Sequence, residues 1–285
     1  MIEINQDTPR YATLIVDRDD RLYGVGSKKY RVYAASSSAN PVVKVQETWD
    51  YQTYTAYYDK SATIENLIID GENRGVTGIK LENVVGCQIR NITIKNCNVG
   101  VEIGNLYGAW SELTRLVHIR MENVNKGILF TSNGPGPEGF PGDSAGFTVI
   151  DDVGIALANN DSAVGIQIGN DDGTYLIKPY SSRIKANVWM GSAGGTGLKI
   201  INGELRYGLI NLAVQGPSNG IGVDLQEDPV KNKAIYYNQF STFNGSDNVT
   251  KSGFLLATNG ISYTPPNDRR ILPNNAITDI LKKSW

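Results

Sequence analysis

VGVEIGN occupies residues 99–105, and VGIQIGN occupies 164–170. Five of the seven positions are identical. The two exchanges, Val101 against Ile166 and Glu102 against Gln167, keep an aliphatic site aliphatic and a polar site polar. The same pattern of Gly, apolar, any, apolar returns in TGIKLEN (77–83), KGILFTSNG (126–134), TGLKIING (196–203), NGIGVDLQ (219–226) and SGFLLATNG (252–260). The glycines are Gly78, Gly100, Gly127, Gly165, Gly197, Gly220 and Gly253, separated by 22, 27, 38, 32, 23 and 33 residues. The period is irregular, but it falls in the range of roughly 20–50 residues that marks solenoids and repeat arrays.

A second set of short runs lies between these phrases: TIENLIID (63–70), CQIRNITIKN (87–96), LVHIRMENV (116–124), FTVIDDVGIAL (147–157), SRIKANVWM (182–190), LINLAVQG (209–216) and YYNQFSTFNG (236–245). They alternate apolar with polar and are rich in β-branched residues, as strands with one buried face do. Gly and Asn, which tolerate positive φ, punctuate them. A unit of two short strands cannot bury its apolar face alone, so the units must stack. This predicts an all-β, right-handed parallel β-helix of about seven coils over residues 63–260. VGVEIGN and VGIQIGN then sit at the same corner of two coils, with KGILFTSNG between them. A β-sandwich, the competing all-β architecture, has no need of near-identical recurring phrases.

The ends differ from the repeat. Residues 1–62 read as an N-terminal β cap, with a hairpin over 14–34 and a strand in PVVKV (41–45). ETWDYQTYTAYYDK (47–60) holds Trp49, Tyr51, Tyr54, Tyr57 and Tyr58 at spacings that fit neither strand nor helix alone. Residues 261–285 read as a loop followed by a short helix or tail, with Asn275 as N-cap and Lys282 and Lys283 near the C-terminal end.

The phrases IENLIIDGEN (64–73), GIKLENVVGCQIRNITIKNCNVGVEIG (78–104) and VNKGILF (124–130) resemble the pectin-lyase-like right-handed β-helix superfamily. Within it they look most like the tailspike and tail-fibre branch of phages. The resemblance covers about residues 60 to 260 and is specific for the fold. It leaves function open, because the superfamily contains lyases, hydrolases, epimerases and non-catalytic adhesins. It implies a polysaccharide or cell-surface glycan as partner, a place on a virion or extracellular surface, and a parallel homotrimer.

Composition narrows the classes. With 27 basic and 29 acidic residues the net charge is −2, which gives no electrostatic case for nucleic acid or an anionic membrane. No run approaches the roughly 18 apolar residues of a membrane helix. The first twenty residues lack the basic and apolar regions of a secretory signal, which points to cytoplasmic synthesis. Cys87 and Cys97 make neither a disulfide framework nor a metal site, and no cofactor is expected.

Candidate chemistry is sparse. His118 is the sole histidine, and alternation turns it outward as a structural residue. The pectin-degrading hydrolases have a pattern partly echoed by Asn159-Asn160-Asp161, Asp171-Asp172 and Arg183-Ile184-Lys185. The Gly-His-Gly element is missing, and steps of 10 and 11 residues are too short for one coil each. Asp151-Asp152, Asp171-Asp172, Lys178 and Arg183 supply the residue types of a calcium-dependent lyase, although NDDG (170–173) lacks alternating oxygen ligands. A hydrolase needs two carboxyls about 5–9.5 Å apart. Asp171 or Asp172 and Glu204 lie close to one coil apart, and Arg206 shares the face of Glu204, so these four are the catalytic candidates. Trp49, Tyr51, Tyr54, Tyr175, Tyr180 and Trp189 are candidates for stacking on sugar rings, with Trp110 beside them. GVGSKK (24–29) and GSAGGTG (191–197) lack phosphate-loop spacing and read as turns. The expected function is a glycan-facing recognition or adhesion module. A polysaccharide hydrolase or lyase and a purely structural virion protein are the alternatives.

Overall fold

The structure is a computed structural model describing residues 1–50, 55–56, 61–106, 110–132, 144–171, 177–201, 205–206, 208–217, 220–226, 235–236, 239–244, 251–258, 261–262 and 276–280. All regular elements among them are strands. Two long sheets dominate. The first runs in spatial order through β1 (Ile2–Ile4), β4 (Arg21–Gly24), β9 (Thr63–Glu65), β12 (Gln88–Lys95), β14 (Arg115–Val124), β16 (Val149–Leu157), β18 (Arg183–Trp189), β21 (Leu209–Gln215), β24 (Gln239–Asn244) and β27 (Ala276–Ile280). Three further strands attach to it: β2 (Thr8–Arg10), β5 (Tyr30–Ala34) and β10 (Leu67–Asp70). The second sheet runs through β3 (Leu14–Val16), β6 (Val43–Val45), β11 (Thr77–Glu82), β13 (Val99–Asn105), β15 (Lys126–Ser132), β17 (Val164–Ile168), β19 (Thr196–Ile201), β22 (Ile221–Gln226), β25 (Lys251–Thr258) and β26 (Ile261–Ser262). From β11 to β19 the chain visits the sheets in strict alternation, and each strand pairs parallel with its counterparts in the neighbouring repeats. This arrangement is compatible with a parallel β-helix solenoid.

The two heptapeptides lie in β13 and β17, with β15 between them in register: Val99, Lys126 and Val164 align, as do Val101, Ile128 and Ile166. The second of these columns extends through Val43, Ile79, Leu198 and Val223. A parallel column from the first sheet, Ile64, Ile89, Leu116, Ile150, Ile184 and Ile210, faces the same interior. Every side chain of the Val101 column and of the Ile89 column is buried. Each contributes about 1.5–3 kcal/mol of burial, and the repetition makes the core continuous.

The glycines have a steric cause. A Cβ on Gly78, Gly100, Gly127 or Gly165 would come within 2.5–2.7 Å of the carbonyl oxygen of the glycine one repeat on. The same Cβ would press on Ile94, Met121, Ile155 or Val188 from the first sheet. Gly197 meets the carbonyl of Gly222, so the NGIG phrase contributes Gly222 to this column, not Gly220 as expected from the sequence.

Several expectations at the ends need correction. Residues 14–34 do not form a hairpin. β3 pairs parallel with β6, β4 with β1 and β9, and β5 with β2 and β10. Three-residue strands carry too little periodicity to reveal this. PVVKV does supply a strand, β6. At the other end, Ala276–Ile280 is a strand paired with β24 where a helix had been an option. Backbone hydrogen bonding to a preformed edge outweighs the weak helical pattern of NNAITDIL. Two minor pairs complete the inventory: β7 (Trp49–Asp50) with β8 (Thr55–Ala56), antiparallel, and β20 (Leu205–Arg206) with β23 (Ile235–Tyr236), parallel.

Candidate functional site

One feature of the first sheet sets the geometry of its outer face. Asn66, Asn91, His118 and Asp152 have φ of 57°, 52°, 54° and 53°. Each is one left-handed residue inside or beside a strand, so two consecutive side chains point outward and the strand kinks. Asn, Asp and His are the residues that tolerate this conformation best. On the first two repeats the kink is an asparagine ladder: Asn91 Nδ2 donates to Asn66 Oδ1 at 3.3 Å, and Asn66 donates to the carbonyls of Gly24 and Gly26. On the next two the ladder changes chemistry. His118 Nδ1 lies 2.5 Å from Asp152 Oδ2. The carboxylate accepts, so Nδ1 donates and Nε2 is left for other partners. The kink then ends, because β18 sets the single residue Lys185 against Asp151 and Asp152.

Beside this dyad runs a groove of about 270 Å³ with Ile92 and Ile119 among its lining residues. Thr93, Arg120, Gly154 and Asn187 cross it in register on β12, β14, β16 and β18. Asn91, His118 and Asp152 form one side, and Trp189 and Lys29 also line it. Gly154 makes room for the tryptophan: a Cβ there would stand 3.0 Å from the six-membered ring of Trp189. Burial lowers the Lys29 ammonium below its ordinary value. A smaller set of residues, Ile15, Arg18, Lys44, Gln46 and Glu47, borders a depression of about 320 Å³ on the second sheet, with no aromatic side chain.

The residues singled out from the sequence divide clearly. Trp189 lies in the groove. His118 points outward as expected, with side-chain exposure of 65%, but it has an acidic partner that alternation alone does not reveal. Asp152 was a candidate lyase carboxylate and is that partner. Asp151 lies 3.7 Å from Lys185. Tyr180 is packed elsewhere. Its hydroxyl donates to Glu112 at 2.7 Å, its ring stands edge-on to Phe147 at 5.2 Å, and Gly146 abuts it. Asp171 is engaged by Lys126 Nζ at 2.5 Å and by Gln167 Nε2 at 3.0 Å. Burial would raise its carboxyl, but the Lys126 ammonium and the Gln167 amide outweigh that and hold it below the ordinary carboxylate value. Asn159 and Asn160 hold turns: Asn159 accepts from Ser192 and from the Ala193 amide, and Asn160 donates to Asn125. Tyr51, Tyr54, Asp172, Tyr175 and Glu204 lie outside the described residues, as do the side chains of Trp49 and Arg206.

Arg120, Asn91, Asn187 and Lys29 were not among the site residues expected from the sequence. They come from three strands and a loop, and only the register between strands brings them together. Aligning IRNITIK, VHIRMEN, DDVGIAL and IKANVWM on their inward residues is the signal that finds the first three, while Lys29 lies in none of these phrases. No known protein family and no curated protein matches the chain.

Proposed function

We propose that this protein recognises carbohydrate through the groove on the outer face of its first sheet. One observation carries the reading: an indole, that of Trp189, shares a shallow open groove with hydrogen-bonding groups from Asn91, Arg120, Asn187 and Asp152. Sugars are bound by this pairing of an aromatic surface with planar polar side chains, and a row of rigid strands suits a chain-like ligand. Two parallel sheets visited alternately support the finer fold reading, a right-handed parallel β-helix of the pectin-lyase-like kind with tailspike character. The test is binding of a panel of bacterial surface polysaccharides by calorimetry, with Trp189→Ala in parallel. Saturable binding that weakens about tenfold in the variant is expected. Binding by no glycan in the panel, or undiminished binding by Trp189→Ala, overturns the reading.

A second reading has its own support. The His118–Asp152 pair at 2.5 Å resembles in chemistry the base-and-orienter arrangement of acid–base catalysts. On that reading the groove cleaves the polysaccharide it binds. New reducing ends or unsaturated sugar products, lost in His118→Gln, are its signature. Intact polymer after prolonged incubation removes it.

A further inference from the structure

Five cations on the outer face of the first sheet meet acids. Arg21 and Arg90 share Glu65, Arg31 and Lys95 share Asp70, and Lys185 reaches Asp151. Arg120 and Lys29 have no acidic partner among the described residues, and both line the groove. Asp152, the one carboxylate there, is already held by His118. The chain carries a net charge of −2, so these two cations are not the overflow of a basic composition. Arg115 and Arg183, aligned with Val149 between them, add two more such cations at the far end of the same strands. With two cations against one carboxylate, the groove carries an excess of positive charge, and a concave site with such an excess favours ligands of the other sign.

We propose that the groove selects a saccharide bearing an anionic substituent, a carboxylate, sulfate or phosphate group, and that Arg120 and Lys29 are the residues that set this preference. The inference rests on the carbohydrate reading above and adds the charge of the ligand to it. Arg120 is the principal contact, because its guanidinium offers two parallel N–H donors to an oxyanion. Gly154, its neighbour in register, lets the Trp189 ring approach, so the indole stands beside the strand position of Arg120. Asn91 and Asn187 remain for the sugar hydroxyls. Asp152 accepts from hydroxyls too, and its charge disfavours a continuous phosphodiester backbone, which argues for a sugar over a nucleic acid.

The experiment uses matched polymers that differ only in charge: alginate and its carboxyl-reduced form for carboxylate, dextran sulfate and dextran for sulfate, and a phosphorylated against a dephosphorylated mannan for phosphate. A single-stranded DNA oligonucleotide serves as a polyanion without a glycan backbone. The expected result is binding of at least one charged member with its neutral twin about tenfold weaker or silent, and weakening as salt is raised. Arg120→Gln and Lys29→Gln each reduce that binding, Arg120→Lys retains part of it, and unchanged far-ultraviolet dichroism shows that the variants are folded. Equal binding of a charged polymer and its neutral twin overturns this inference and leaves the carbohydrate reading standing. Oligonucleotide binding as tight as that of the best glycan also overturns it. Silence from every charged and neutral glycan overturns both.

Discussion

Gly127 shows how a single missing side chain specifies this architecture. The next repeat's carbonyl and Ile155 occupy the volume a Cβ would need, at 2.5 and 2.7 Å. Neither can retreat without breaking the register of β15 with β17 or opening the core. Gly127→Ala is therefore expected to destabilise the fold by about 1–3 kcal/mol in urea denaturation, as overpacked cores do. An unchanged midpoint would mean that the column is looser than its distances. His118 poses the opposite case. Both partners of its pair are largely exposed, at 65% and 64%, so solvent screens the attraction. Its left-handed backbone suits Asn at least as well. His118→Asn is expected to leave stability within about 0.5 kcal/mol of the parent. A loss above about 2 kcal/mol would assign His118 to the scaffold and remove it from the groove's chemistry.

At the scale of elements, Asp70 ties three strands. It ends β10 and receives Arg31 from β5 at 3.2 Å, Lys95 from β12 at 3.3 Å and Asn96 at 3.0 Å, with only 1% of its side chain exposed. Burial raises its carboxyl, but the hydrogen bonds from Asn96 and the Glu72 amide and the Lys95 ammonium outweigh that, leaving it below the ordinary value of 3.8. A carboxyl lowered in the folded state stabilises the fold fully above its unfolded pKa and ceases to do so as pH falls through the lower, folded value. Stability measured by urea titration should thus decline as pH is taken from 5 to below about 3.8. Asp70→Ala should cost about 1–3 kcal/mol at neutral pH, since it takes the acidic partner from Lys95 while Arg31 keeps Asp7 and Glu72, and should reduce the acid decline. A variant with the parent's full acid sensitivity would place that sensitivity elsewhere. Elements also show what was legible in the sequence. The second sheet reads directly from β11 to β19, where the glycine column recurs on every strand; beyond it the column passes to Gly222, and β3 at the other end was expected in a hairpin. The first sheet reads in part: at Arg90-Asn91 and Asp151-Asp152 two outward residues follow one another, which breaks the period of two. The groove was not legible, since it depends on how β12, β14, β16 and β18 register, a relation that alternation within one strand does not contain.

Among the described residues of β11 to β19, each strand pairs with its counterparts in the repeats before and after it, so cooperativity is a matter of neighbours. Two thiols lie well placed to measure it. Cys87 and Cys97 flank β12 on either side and are buried in the common core. Burial pushes both thiols up to about 12, far from the pH at which a disulfide reagent works on exposed cysteine. Reaction therefore requires the repeat to open. If the strand between them leaves the stack as one unit, both thiols react at one rate at each denaturant concentration. That rate should rise only where neighbouring repeats loosen. Two thiols per chain should be modified after full unfolding, and almost none within the mixing time in native buffer. The decisive comparison is between the two single-cysteine variants, Cys87→Ala and Cys97→Ala. Equal labelling rates for the remaining thiol mean that β12 and its flanks open together, as parallel strands bonded on both edges must. A Cys97 that reacts many-fold faster than Cys87 in native buffer would show the turn after β12 opening alone, and the repeat would then not be the cooperative unit of this fold.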